Sequence, residues 1–242
     1  MPPRPILVFA VLWLLLGSAD AVAAAASSPT GWKAVLVAGD NAQPVFDNAV
    51  AAVGSWLASR GVPAHDIHVL SATQRTGTAS AEPASAERIL GRIASLRPRP
   101  GEGCFVFITS HGRRGEGIWL AYGGEFLRPA GLAQALSAGC ASAPTVVIVS
   151  GCFSGAFTAM RGPNRIVITA ARADRPSFGC QVERIYSVFD ECLLAALPRS
   201  PTWRAVFTAT GRCVRGREGE LEVVASQPQA AFGTAVRNLA VR

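Results

Sequence analysis

Lysine is nearly absent from this chain: Lys33 is the only one among 23 basic residues. The formal charge of +7 is therefore carried by arginines, scattered or locally paired as at Arg113-Arg114. No basic block is interleaved with aromatics, which argues against a nucleic-acid partner and for a solvated Arg-rich surface. Histidine is scarce too, with three in 242 residues. His65-x-x-His68 has no further ligand nearby and sits at a turn entering a strand, and no cysteine pair has CxxC spacing. Both observations argue against a structural zinc site. After residue 16 there is no second long apolar run, and neither an internal repeat nor an inter-domain linker is visible.

What is present is a chain that is 50% hydrophobic, enough for one compact domain with a sizeable core. It opens with Arg4, then the apolar run Ile6–Leu16, then small residues. Ala19-Asp20-Ala21 and Ala21-Val22-Ala23 both fit an A-x-A cleavage site. Residues 1–23 are read as a signal peptide, since the run is short for a membrane span. The mature protein is expected to be exported, periplasmic or extracellular, and to touch a membrane only if the leader stays uncleaved. Export permits disulfides. Setting Cys152 aside, five cysteines remain (Cys104, Cys140, Cys180, Cys192 and Cys213), so at most two bridges form and one thiol stays free. Their connectivity is not readable from sequence.

Two segments share one design. Val146–Val149 is a β-branched apolar run that reads as a buried strand, stops at Ser150-Gly151 and delivers Cys152. Ser154 and Gly155 then look like a helix start, with Ser154 as the N-cap. N–H groups at a helix start favour thiolate over thiol. Upstream, Cys104–Thr109 is a second apolar strand, ending in Ser110-His111-Gly112. Side by side and parallel, these strands bring His111 and Cys152 to the edge where α/β sheets bind ligands. A cysteine with a nearby imidazole is the basic equipment of thiol catalysis.

Around these segments the chain reads as a βαβ protein with a parallel sheet. Lys33–Ala38 is the first strand; Phe46, Val50, Val53 and Leu57 form the stripe of a helix stopped by Gly61; Ile67–Leu70 is the second strand. Ser71–Pro83 reads as a mobile loop, and Ser85–Leu96 as a helix burying Ile89, Ile93 and Leu96. Turns at Gly115–Gly117 and Gly123-Gly124 flank a short strand Ile118–Ala121, a hairpin above the site, and Pro129–Leu136 is helical. Arg165–Ala170 is a strand, Ala171–Gly179 a loop carrying Arg172, Asp174, Arg175 and Ser177, Tyr186–Leu197 a helix, and Ala231–Leu239 helix-like.

The strand ends FVFITSHG and VVIVSGCFSG resemble those of the caspase-like cysteine peptidases, and within them the legumain family (peptidase family C13), particularly its bacterial secreted members. VLVAGDN, TAARADRPSFGC and SQPQAAFG are weaker matches, and the resemblance runs from about Trp32 to the end. The QAC-x-G of caspases is absent, and metacaspases usually carry Asp where this chain has Ser150. The resemblance implies an α/β fold over residues 32–242: a three-layer caspase-like sandwich, its central sheet mostly parallel, with helices on both faces. It implies a cysteine endopeptidase acting on protein or peptide through a Cys152 thioester, with His111 as acid/base, the backbone N–H groups of Gly112 and Cys152 as oxyanion donors, and no metal or organic cofactor. Two departures stand out. The legumain Asn near the catalytic histidine falls on Val45, with Asn41 and Asn48 nearby but out of register, and the legumain pocket arginine falls on Asp47. An aspartate there favours a basic side chain over asparagine if it faces a pocket. Asp47, Asn48, Ser150 and Ser177 are the substrate-binding candidates. A transpeptidase or transamidase using the same acyl-enzyme remains open, as does a catalytically silent binding module. A serine hydrolase is disfavoured, because Ser154 lacks G-x-S-x-G spacing.

Overall fold

The computed structural model of the protein describes residues 1, 28–73, 81–181 and 183–241. Residues 2–23 of the expected leader and 74–80 of the expected loop lie outside the described residues. The apolar runs become strands buried on both faces, which is why they read as continuous rather than alternating. Strand β1 (Gly31–Ala38), helix α1 (Val45–Ser59) and β2 (Ile67–Ser71) make the first βαβ unit, with Ala34 opposite Ile67 in parallel. Strand β3 (Glu82–Pro83) pairs with β2, so the segment read as one loop from 71 to 83 carries strand at both ends. Helix α2 (Ala86–Ala94) is capped by Ser85, whose hydroxyl accepts the Arg88 N–H, and buries Ile89 and Ile93.

After β4 (Glu102–Thr109), the strands β5 (Gly112–Arg113), β6 (Gly117–Leu120) and β7 (Glu125–Leu127) form a separate three-stranded antiparallel sheet. Helix α3 (Pro129–Cys140) has Pro at its first turn and runs a turn further than its apolar pattern suggested. Next come β8 (Thr145–Ser150), a 3₁₀ stretch Ser154–Met160, β9 (Arg165–Thr169), α4 (Val188–Ala196), α5 (Trp203–Glu220) and β10 (Gln229–Phe232). The main sheet has the order β10-β9-β8-β4-β1-β2-β3, parallel except for the antiparallel edge strand β10.

Helices α1, α4 and α5 cover one face around Trp32, Trp56, Trp203 and Phe105, whose rings meet edge to face or tilted 5.8–6.3 Å apart. Helices α2 and α3 and the 3₁₀ stretch cover the other. Each helical layer holds one disulfide: Cys104–Cys140 joins β4 to α3, and Cys192–Cys213 joins α4 to α5. Cys152 and Cys180 are free thiols. The expected limit of two bridges is met. Among the described residues no helix is long and apolar enough to cross a membrane.

Three local expectations change. Tyr186 and Ser187 precede α4 rather than belonging to it, because the Ser187 hydroxyl caps it by accepting the Asp190 N–H. Residues 231–239 are not a helix. Ala231 pairs with Val167 on the sheet edge, and Gly233 lies against the Gly162 and Pro163 carbonyls, so only Thr234–Val236 turn, as 3₁₀. Ser154 is not an N-cap either: its buried hydroxyl accepts the Ala171 N–H, and the turn it opens is 3₁₀ without a side-chain cap.

Candidate active site

Strand register brings the two candidate residues, His111 and Cys152, to the same level of the sheet edge. In the β4–β8 ladder Thr109 faces Ser150, and the Ser110 N–H extends the pairing by donating to the Ser150 carbonyl (3.1 Å). His111 and Cys152 each follow two residues after that pair, on strands about 4.8 Å apart. Beyond it the backbones come closer still. A Cβ on Gly112 would lie 2.0 Å from the Cys152 carbonyl oxygen, so only glycine allows this approach. The edge is also a switch point, since the chain leaves β1 toward β2 on one side while β4 and β8 build out on the other.

Cys152 is half-buried in a sharp turn. Phe153 adopts φ 58°, the left-handed region that bulky residues rarely enter, held by its N–H to the Arg175 carbonyl (2.8 Å) and by Arg114 over its ring at 5.3 Å. The group facing the thiol comes from another loop. The Ser177 N–H donates to Cys152 Sγ at 3.3 Å, the Sγ lies 3.4 Å from the Ser177 carbonyl, and the Ser177 hydroxyl lies 3.9 Å away. The anticipated helix start is thus replaced by the 171–180 loop.

The His111 ring packs edge-on against Phe46 of α1 at 5.2 Å, which fixes its plane. It lines a cavity of about 250 Å³ with Asp40, Gly112, Arg113, Trp119 and Phe126. Asp40 is buried there, its carboxylate accepting the Ala42 N–H at 2.7 Å. The small sheet forms the wall: the Ala121 N–H reaches the Gly39 carbonyl (2.8 Å) and the Ser110 hydroxyl the Trp119 carbonyl (2.7 Å). Because the Trp119 N–H donates to the His111 carbonyl, Gly112 and Ile118 form a non-hydrogen-bonded pair, leaving the Gly112 N–H outside the ladder.

Two sequence candidates lie elsewhere. Asp47 does not join His111 and Cys152: its two oxygens accept the Ser71 and Thr73 hydroxyls at 2.7 and 2.6 Å, tying α1 to the end of β2. It lines a different cavity, with His68, Val69 and Glu82 among its walls, where burial, aided by the nearby Arg92 charge, lowers the His68 pKa. A first-turn helical residue points to one side only, and an ungapped register does not reveal which. Asn48 likewise spends its amide on the Ile185 carbonyl (3.1 Å). Ser150 and Ser177 do lie at the site.

The sequence reading passed over Asp190. This α4 residue is fully buried beside the strand ends, and its Oδ2 accepts the Thr109 hydroxyl at 2.8 Å. Burial pushes its carboxyl pKa up, opposed by the hydroxyls of Ser150, Thr109 and Ser187. The free thiol Cys180 is pushed up to about 12, first by burial and then by the charges of Asp190, Cys152 and Asp40. A serine three positions before an acid, Ser187 to Asp190, is a capping-box-like spacing; in such a box the acid turns back on its own helix. Among the described residues no group of three or more His, Cys, Asp or Glu side chains is arranged to hold a metal ion.

Comparison with known proteins agrees with this geometry. Residues 84–200, which span both strand ends, match the model of the Peptidase C13 family. No curated protein matches the chain. Its fold is similar to the crystal structure of caspase-1 from Spodoptera frugiperda, with a TM-score of 0.63 over 87% of this chain and 90% of that one. Sequence identity is 12%, so that likeness speaks for the fold alone. Residues 84–200 are thus similar to the Peptidase C13 family, and they sit on a caspase-like α/β fold.

Proposed function

We propose that this protein is an exported cysteine endopeptidase, with Cys152 as nucleophile and His111 as acid and base. The observation that carries the reading is the shared register of the strands: Thr109 faces Ser150, and the two reactive residues follow at equal distance. Cys152 gives its thiol proton to His111 as Sγ attacks the scissile carbonyl carbon, and the oxygen gathers charge toward the N–H groups of Gly112 and Cys152. As the C–N bond breaks, His111 delivers a proton to the leaving amine. A thioester remains on Cys152; water, giving a proton to His111, attacks it and releases the new carboxyl terminus and the thiol. Ser177 supports the reading by holding Sγ from the neighbouring loop, and Ser150 by lying on the strand end below it. Export is supported by the apolar leader and by two disulfides, which persist in oxidising compartments.

The test uses the mature chain and Cys152→Ala on a mixed peptide library, with products read by mass spectrometry. Cuts made by the wild type alone are expected. Equal products from both proteins would refute the assignment, and ligated peptides would reassign the acyl-enzyme to an amine acceptor. N-terminal sequencing of protein recovered outside the cytoplasm, beginning after the leader, checks export.

A further inference from the structure

Asp190 is a fully buried carboxyl, and among the described residues no cation acts on it and its Oδ1 has no hydrogen-bond partner. A carboxyl kept in such a place costs stability unless its hydrogen bonds compensate. Oδ2 accepts the Thr109 hydroxyl at 2.8 Å, and the hydroxyls of Ser150, across the ladder from Thr109, and of Ser187 also favour the charged form of the carboxyl. Thr109 and Ser150 are ladder partners, the last of their strands. His111 and Cys152 lie two residues beyond this pair, each just past the end of its strand. The carboxyl is presented from a stiff support: the Asp190 N–H is held by the Ser187 cap at 3.1 Å, and Cys192, two residues on, is bonded to α5.

We propose that Asp190 is a positioning residue that sets the spacing of Cys152 and His111 by holding both strand ends from one carboxyl. It touches neither substrate nor the reacting atoms. The clamp rests on the peptidase reading for its kinetic consequence but not for its geometry. Loss of the carboxyl lets the ends of β4 and β8 move independently, and the thiol and imidazole lose their common level.

The experiment compares Asp190→Ala, Asp190→Asn and Thr109→Val with Leu193→Ala, a core truncation one turn along the same helix. Two readouts are taken: peptide hydrolysis, and the rate of Cys152 alkylation by iodoacetamide across pH, with His111, Cys180 and Asp40 as the titrating neighbours. Misplacement on the ångström scale costs on the order of 100-fold, so Asp190→Ala should lower kcat by about that factor with KM little changed. Asp190→Asn, which keeps an acceptor for Thr109, should recover most of the loss, while Thr109→Val should fall in the same direction as Asp190→Ala. Leu193→Ala should lower Tm yet keep kcat. Wild-type kcat in Asp190→Ala, or a kcat in Leu193→Ala that falls with its Tm, overturns the clamp. Should the wild type prove inactive on peptides, the peptidase reading fails alone: the alkylation profile still decides, and an unchanged profile in Asp190→Ala overturns the clamp.

Discussion

A methyl group added at residue 112 is the smallest change that reaches both reactive strand ends at once. Built on the present backbone, the Cβ of Gly112→Ala lies 2.0 Å from the Cys152 carbonyl oxygen, 3.0 Å from its carbon and 3.3 Å from its nitrogen. Side-chain Cβ atoms essentially never come within 3.0 Å of such an atom, so about 1 Å must open between the two segments. The obstacle is backbone and cannot rotate away. Overpacking of this kind costs about 1–3 kcal/mol, a fall in Tm of about 5 °C for a domain this size. In the proposed mechanism the separation falls on the nucleophile and its acid/base, so kcat/KM should drop on the order of 100-fold, beyond what lost stability explains. Gly216→Ala is the control. Nothing lies within 4 Å of its added Cβ on exposed α5, and the change should raise stability by up to about 1 kcal/mol with activity intact. Melting curves and initial rates on one fluorogenic peptide measure both effects. A Gly112→Ala protein that cleaves at the wild-type rate would show that close backbone contact does not fix the catalytic distance.

Two further expectations follow from the cysteines. With its pKa pushed up to about 12, Cys180 holds almost no thiolate near pH 8, so a brief iodoacetamide pulse on folded protein should label Cys152 and spare Cys180; peptide mapping that finds equal labelling contradicts this. Removing a bridge should cost about 4 kcal/mol for Cys104–Cys140, with a separation of 36, and about 3 for Cys192–Cys213, with 21. Urea midpoints of the paired Cys→Ser variants measure these losses, and midpoints equal to wild type would mean that the bonds add nothing.

The parts of this fold legible in the sequence are those whose burial leaves a one-dimensional trace. Cys104–Thr109 and Val146–Val149 read as strands because both faces are covered, and Phe46, Val50, Val53 and Leu57 mark a helix because one is. Strand β10 left no such trace: Gln229–Phe232 is only partly buried, and its conformation is set by pairing with β9, some 60 residues earlier. At the site, His111 and Cys152 were visible because each ends a run. Asp190 was not, since a carboxylate in the first turn of a helix looks like an ordinary response to the helix dipole. Its role depends on Thr109, 81 residues away. Asp47 lines a cavity apart from that of His111 and accepts the Ser71 and Thr73 hydroxyls, an arrangement that depends on residues more than 20 positions away. Ser177 was named among the loop residues, but only folding showed that its main chain, more than its hydroxyl, meets the thiol.

The bridge between Cys104 and Cys140 has a consequence for how this domain tolerates change. Cys104 lies near the foot of β4 and His111 just past its head, seven residues on, roughly 23 Å at the usual strand rise. The covalent stitch and the reactive rim therefore occupy opposite ends of one strand. Loops 39–44, 112–128 and 171–187 all meet at the rim, where only non-covalent contacts hold them. The exposed turn Tyr122–Gly124 between two strands of the small sheet is far from the stitch and carries none of the core, which makes it the natural place to graft a new recognition surface.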